Sequence, residues 1–176
     1  MVRLARLIGA FVLTSIFGVS VFAQSAFPRS PDAAMVLQGA KKMPNGGRPS
    51  DRTPFPAIKD WNTLKIGLQR SMCLGECPNY KVEIHGDGTV LFEGHEYTAV
   101  PGSHSDKILE DTVRKLFNAF ERANFFWSYA SYANYNVTDF PEYRLSLSFD
   151  GHSKELTDYV GASIGMPADI KALAGR

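Results

Sequence analysis

Two cysteines are the residues of this sequence whose type and spacing point most directly to chemistry. Cys73 and Cys77 are the only cysteines among its 176 residues, and they stand four positions apart. Apolar residues alternate with polar ones just before them, over 64–68, and just after them, over 80–84. Such alternation is typical of β-strands, so the cysteines occupy a turn between two predicted strands. A pair in this position serves either as a structural disulfide or as thiolates for metal or redox chemistry.

The N-terminal sequence predicts the cellular compartment of the protein. The compartment in turn helps to decide between a structural disulfide and reactive thiolates. Arg3 and Arg6 precede an uncharged apolar run over 7–22, and Gln24 follows a small residue at the cleavage position of a signal peptide. The run is shorter than the roughly 20 residues that a membrane-spanning helix needs. No cysteine stands directly after this run, where a lipid would be attached. We therefore expect a cleaved signal peptide over 1–23 and a periplasmic or secreted protein with no membrane span after cleavage.

An exported protein meets an oxidising environment, so a disulfide between Cys73 and Cys77 is the predicted use, with Gly75 allowing the turn to close. The alternative is a periplasmic copper-binding or thiol redox protein, because Cys-x-x-x-Cys-Pro resembles the motif of thioredoxin-like copper-delivery proteins. In that family a helix follows the cysteines, whereas here an alternating strand and a Gly-Asp-Gly hairpin follow. The sequence therefore predicts a structural disulfide, no metal and no cofactor. The additional copper ligands in the alternative would be Met72, His85 and His95.

Charge and motifs exclude several classes of function. The formal net charge of +1 falls to about −1 once Arg3 and Arg6 are removed, so neither nucleic acid nor an anionic membrane surface is expected as a partner. The sequence has no nucleophile elbow, phosphate-binding loop or paired metal-binding histidines. Asp139 and Glu142 are the one carboxylate pair suited to glycoside chemistry, but such pairs occur by chance in most chains. We predict no catalytic residue and keep an enzyme of unrecognised mechanism as a second alternative.

The remaining chain divides at about residue 60. Residues 24–60 contain many prolines and glycines and few large apolar residues, which predicts a flexible linker with at most a short helix over 32–41. Residues 61–176 are enough for a single domain with one core.

This domain is predicted to be α+β, with an antiparallel sheet of five to six strands in two hairpin sets. A central amphipathic helix, from about Ser105 to Arg122, is expected to cover one face of the sheet because its apolar residues recur every three or four positions. A short helix follows Pro167. The predicted strands cover 62–70, 79–85, 89–93, 143–149 and 153–160, with 95–100 as a sixth candidate.

One segment follows neither a helical nor a strand period, and aromatic residues crowd it over 124–140. The rings between Trp127 and Tyr135 either stack on a sugar or peptide ligand, or pack over the edge of the sheet. Packing is the favoured interpretation. The candidate binding residues, here and around the cysteine turn, are Arg70, Tyr80, Tyr132, Tyr135, Asp139 and Lys154.

Several short motifs accompany the cysteine turn along the domain. They are Leu68-Gln69-Arg70, Gly86-Asp87-Gly88-Thr89-Val90, Phe92-Glu93-Gly94, Ala123-Asn124-Phe125-Phe126, Thr138-Asp139, Asp150-Gly151 and Asp158-Tyr159. On these motifs the chain from about Ile66 onward resembles the domain-of-unknown-function family numbered 6438. The resemblance implies an exported or lipid-anchored bacterial protein with no assigned activity. Together with the other observations, it predicts a non-catalytic binding or structural module of the cell envelope. Its partner would be an envelope protein or a glycan, and its oligomeric state is left open.

Overall fold

The computed structural model describes residues 41–175. The predicted signal peptide, the first part of the predicted linker and nearly all of the short helix predicted over 32–41 lie outside these residues. Among the residues that are described, no helix is long and apolar enough to cross a membrane.

Seven strands form one mixed sheet, in the order β4-β3-β2-β1-β6-β7-β5. The strands are β1 (Lys65–Arg70), β2 (Tyr80–His85), β3 (Thr89–Gly94), β4 (Gly102–Lys107), β5 (Ser131–Ala133), β6 (Tyr143–Phe149) and β7 (His152–Tyr159). Two short α-helices accompany them, α1 (Glu110–Arg122) and α2 (Ala168–Lys171). The fold is therefore α+β, as the sequence predicts.

Turn chemistry explains the two hairpins that build the sheet. Between β2 and β3, Asp87 accepts a hydrogen bond from the backbone N–H of Thr89 at 2.9 Å, and Gly88 has a φ of 85°. Between β6 and β7, Asp150 and Gly151 both have positive φ, which two-residue hairpins favour. Strand β1 then pairs with β2 on one side and β6 on the other, so it joins the two hairpins into one sheet.

The core lies between α1 and one face of the sheet. Val113, Phe117 and Phe120 of α1 are buried, as are Leu145 and Phe149 of β6. Because alternate residues of a strand share a face, the inward residues of β6 form a continuous apolar row against the helix. The ring centroids of Phe117 and Phe149 lie 5.2 Å apart in an edge-to-face arrangement. Helix and sheet thus bury their apolar residues against each other.

The opposite face of the sheet carries polar side chains. Gln69, Lys81 and Arg144 form one row across β2, β1 and β6. In the next row, Gly67 separates Glu83 from Ser146, and a Cβ at Gly67 would lie only 2.3 Å from the Ser146 hydroxyl oxygen. This face therefore presents charge to solvent and does not contribute to the apolar core.

Two predictions about the sheet are wrong. It has seven strands where five to six were expected, and β5 pairs with β7 in parallel, so the sheet is not purely antiparallel. The candidate strand over 95–100 is a turn, and the chain instead pairs with β3 through β4. Both β4 and β5 lacked an apolar alternation in the sequence. Every residue of β4 is exposed, which explains the missing signal at this edge of the sheet.

The predicted central helix is also shorter than expected. Residues 105–107 belong to β4, and α1 begins only at Glu110, after Leu109 in extended conformation. Residues 41–175 therefore contain two short α-helices and no long central one. Leu109, an apolar residue within the range predicted for the helix, is 77% exposed.

The second part of the predicted linker packs on the domain. Residues 41–60 contain breakers that prevent regular structure, yet their few apolar and basic side chains reach the core. The Phe55 ring lies 5.5 Å from Phe117, and the Arg48 guanidinium donates to the Trp127 carbonyl oxygen at 2.8 Å. A segment without α-helix or strand can thus gain stability from a few well-placed contacts.

Asp150 makes this packing sensitive to pH. Its carboxylate accepts hydrogen bonds from the backbone N–H groups of Lys59 and Asp60 and from the Thr63 hydroxyl. The Lys59 N–H is the largest cause of a pKa below the ordinary 3.8, with the other donors adding to it. A lowered carboxyl pKa adds stability above about pH 3.8 that is lost as the pH falls through the lowered value.

We expect Asp150→Asn to flatten the decrease in melting temperature below about pH 4. Asparagine tolerates the positive φ of this position, so the turn is kept. Asp51→Asn, at an exposed carboxylate, is the control. An unchanged acid profile in Asp150→Asn would show that the carboxylate does not anchor residues 59–63.

Candidate functional site

The cysteine turn is a short, anchored loop at one end of the sheet. Cys73 and Cys77 are joined by a disulfide with Cα atoms 5.6 Å apart, and Gly75 between them has a φ of 124°. Ser71 anchors the turn, since its N–H donates to the Glu142 carbonyl oxygen at 2.9 Å and its hydroxyl accepts from the Glu142 N–H at 2.8 Å. The turn is thereby fixed against the segment that leads into β6.

The surroundings of the cysteines differ from those of a copper-delivery protein. The disulfide lies within the turn between β1 and β2, with no helix at either cysteine. Over residues 41–175, no three His, Cys, Asp or Glu side chains are grouped as ligands for a metal ion. His85 instead bonds to Glu83 at 2.7 Å, and the His95 ring lies 3.9 Å from Glu93. The thiol alternative therefore gains no support from the geometry.

Replacing both Cys73 and Cys77 by serine should lower the free energy of unfolding by about 2 kcal/mol, the loop-entropy value for a ring of this size. The fold should persist because Ser71 still anchors the turn. Chemical denaturation measures the loss, and the intact protein should weigh two hydrogens less than its reduced form. Glu76→Gln, an exposed change in the same turn, is the control. Complete unfolding of the double variant would show that the disulfide does more than shorten the unfolded chain.

Large apolar side chains are exposed around this turn. Leu74 is 80% and Met72 53% exposed, while Tyr135 and Phe140 in the facing segment are 78% and 47% exposed. The Leu74 N–H donates to the carbonyl oxygen of Asp139 at 3.4 Å, so the two segments touch. We name these four residues, Met72, Leu74, Tyr135 and Phe140, the disulfide-end surface.

A cleft lies beside two of these residues. It has a volume of about 410 Å³ and is lined by Ser71, Tyr135, Phe140, Glu142 and Tyr159, among others. The rings of Tyr135 and Tyr159 stack at 6.2 Å, and the Tyr159 hydroxyl donates to the Val137 carbonyl oxygen at 3.1 Å. The stacking and this hydrogen bond therefore hold the two rings on one side of the cleft in place.

Of the predicted binding residues, Arg70 and Tyr80 do come together. They are direct partners across β1 and β2, on the face that α1 covers. The Arg70 guanidinium lies 5.6 Å from the centre of the Tyr143 ring, and its Nε is buried without a hydrogen-bond partner among the described residues. An unpaired buried donor is costly, which makes this position unusual.

The other predicted residues are dispersed and engaged locally. Tyr132 is fully buried in the core, where its hydroxyl donates to the Gly47 carbonyl oxygen at 2.5 Å, and burial raises its pKa. Lys154 donates to the Ser128 carbonyl oxygen at 2.7 Å, and burial lowers its pKa. Asp139 accepts from the neighbouring Thr138 hydroxyl at 2.9 Å. Arg70, Asp139 and Lys154 therefore do not line one shared concavity.

The aromatic segment divides between packing and exposure. Trp127 is half-buried, with its ring NH donating to the Pro49 carbonyl oxygen at 3.0 Å and Arg48 lying 5.3 Å from its ring centre. With Tyr132 in the core, packing accounts for most of the segment, and Tyr135 is its strongly exposed ring.

Sequence reasoning missed Leu74 and Phe140 as surface residues. A usable signal was present, because a ring closed by cysteines four positions apart is too short to bring Leu74 back to the core. Phe140 precedes Pro141, which favours an extended backbone and a break in regular structure at this position. Tyr143 was assigned to the strand pattern alone, although its ring faces both Arg70 and Lys171.

Comparison with known proteins gives one result. The family model described as "Domain of unknown function (DUF6438)" matches residues 64–176. No curated protein matches the chain. The match covers the sheet, both helices and the cysteine turn.

Proposed function

The chain belongs to the DUF6438 family, and from this premise we propose that it is a non-catalytic binding module of the bacterial cell envelope. The disulfide-end surface would be its contact surface. The observation that carries the proposal is the exposure of Leu74, 80%, on a turn that a disulfide and the Ser71–Glu142 hydrogen bonds hold in place, beside Tyr135, 78% exposed, in the facing segment, where its ring stacks on Tyr159. Large apolar side chains presented on a fixed loop are typical of contact residues, because little conformational entropy is lost when they are covered.

A protein partner fits this surface better than a glycan. Glycan sites rely on flat rings and polar side chains, whereas half of this surface is aliphatic, in Met72 and Leu74. Methionine is common at protein contacts because its flexible side chain adapts to the opposing surface. Tyr135 and Phe140 supply the aromatic anchors that dominate protein interfaces.

The carboxylates nearest the surface support a binding role over a hydrolytic one. Glu142 pairs with Arg144 at 2.8 Å, and Asp139 bonds to the adjacent Thr138 hydroxyl. Each is therefore paired within its own segment, and none of the four residues of the disulfide-end surface is a carboxylate.

A cross-linking experiment tests the proposal. The protein, produced in its native bacterium with a photoreactive group at position 135, should form one defined adduct with an envelope protein. Leu74→Ser combined with Phe140→Ser should abolish that adduct at an unchanged melting temperature. Leu109→Ser is the matched control, because Leu109 is 77% exposed but lies at the opposite end of the sheet, beyond β4. Equal adduct yields in both variants would reject the surface, and specific capture of a glycan would reassign the partner.

Export is the second part of the proposal. It is supported by the signal-peptide pattern over 1–23 and by the disulfide, which an oxidising compartment favours. Cell fractionation should recover the protein outside the cytoplasm, with Gln24 as its first residue. Recovery in the cytoplasm with an intact leader would overturn this localisation.

A further inference from the structure

An apolar groove remains open between α1 and the sheet. It has a volume of about 390 Å³ and is lined by half-buried Leu68 and Val82 from the sheet and by Leu116 from α1. The residues after α2 form its remaining wall, with Ala174 and Gly175. Residues of β1, β2 and β6 form the floor of the groove, and Leu116 and Phe120 of the 13-residue α1 form one wall. Its volume lies within the range of ordinary small-molecule sites.

A positive charge lies beside one end of the groove, on Arg70, which is not itself one of the lining residues. Arg70 is the next residue after Leu68 on this face of β1, and it lies opposite Tyr80, which lines the groove. No ion pair among residues 41–175 includes Arg70. The second cation nearby, Lys171, is 5.0 Å from the Tyr143 ring centre but is already paired with Asp158 at 2.5 Å. Arg70 is therefore the charge left to meet an anion.

The position of the groove distinguishes between possible occupants. It lies over β1 and β2, whose backbone groups are paired with a neighbouring strand on both sides. An extended peptide would find no free backbone donors or acceptors there, whereas an alkyl chain requires none. From Tyr80 to Ile84 the groove runs about 13 Å at the rise of a β-strand, enough for an extended aliphatic chain of moderate length.

We propose that this groove binds a fatty acid of moderate chain length, with the carboxylate on the Arg70 guanidinium and the alkyl chain between Leu116 and the β1–β2 face. The guanidinium fork matches the two oxygens of a carboxylate, and the bound anion would supply the partner that the Arg70 Nε lacks. The site is separate from the disulfide-end surface and does not depend on its function.

Isothermal titration of the purified protein with decanoate at neutral pH tests the proposal. We expect one saturable site, at least tenfold weaker binding by Arg70→Gln, and weaker binding of decanol than of decanoate by the unchanged protein. Arg144→Gln is the matched control, since Arg144 lies on the adjacent strand β6 but on the polar face. This variant should bind decanoate as tightly as the unchanged protein.

Three titration results would overturn the proposal. They are the absence of saturable binding below the micelle concentration, equal affinities for decanoate and decanol, and equal weakening by Arg70→Gln and Arg144→Gln. If Arg70→Gln does not fold, the decanoate–decanol comparison and the loss of affinity at high salt decide the question on the unchanged protein. Self-association through the groove, detected by sedimentation at increasing concentration, would also contradict it.

Discussion

Replacing Phe117 by alanine is expected to lower the free energy of unfolding by about 3–5 kcal/mol, because it removes a fully packed ring from the centre of the core. Phe117 is 3% exposed, and its ring makes edge-to-face contacts with Phe55, Trp61 and Phe149. The cavity would therefore open between α1, β6 and the segment that precedes β1. Equilibrium denaturation in urea measures the loss.

Lys115→Ala is the control for this prediction. Lys115 is exposed on the other side of α1, so its removal should change stability by less than about 0.5 kcal/mol. Equal urea denaturation midpoints for Phe117→Ala and Lys115→Ala would mean that the buried apolar residues of α1 are not what attaches the helix to the sheet.

The second large effect is expected at Asp158, whose carboxyl group is completely buried in β7. It accepts the Gly161 N–H at 2.9 Å and pairs with the Lys171 ammonium at 2.5 Å. Asp158→Ala leaves a buried N–H unsatisfied and a partly buried ammonium unpaired, which should cost about 3 kcal/mol, at the low end for a buried pair because Lys171 is partly exposed. Thermal denaturation by circular dichroism measures the change.

A double-mutant cycle separates the ion pair from the other contacts of Asp158. Asp158→Asn keeps the oxygen that accepts from Gly161, so its loss should be smaller than that of alanine. Lys171→Met leaves the carboxylate buried and unpaired. The combined variant should lose less stability than the sum of the two single losses, because the pair is removed only once. Strict additivity would show that the two charges do not stabilise each other.

The hairpins of this fold were predictable because their signals are local. Strand β6 alternates apolar and polar residues along its whole length, and Asp150-Gly151 after it favours the positive φ values of a tight turn. The predicted boundaries of β2, β3 and β6 agree with the structure within one residue.

The sequence does not predict β4, β5 or the packing of residues 41–60, because each depends on residues that are distant along the chain. The polar strand β4 exists only because β3 offers it backbone partners, and the three residues of β5 are too few to show a period. Residues 41–60 resemble a linker in composition, but Met43, Phe55 and Ile58 pack against the core. Such contacts depend on tertiary structure, and secondary-structure propensities carry no information about them.

The candidate surfaces were predictable only in part, for a related reason. Arg70 and Tyr80 were identified from motifs around the cysteine turn, and they do face each other. The groove beside them depends on where α1 ends relative to β2, and the exposure of Leu74 depends on what the closed ring can reach. The spacing of residue types along the sequence determines neither the position at which α1 ends nor the reach of the closed ring.

The central place of β1 in the sheet has a consequence for the order of folding. β1 can pair with β2 as soon as both have been made, but its other neighbour, β6, comes after α1 in the chain. Until β6 arrives, the apolar residues of α1 have only part of their partner surface, and both sides of the future core are accessible to other chains. A polypeptide synthesised from its N-terminus passes through this half-formed stage on every occasion. We therefore expect the interval before β6 emerges to be the time at which this protein most depends on chaperones.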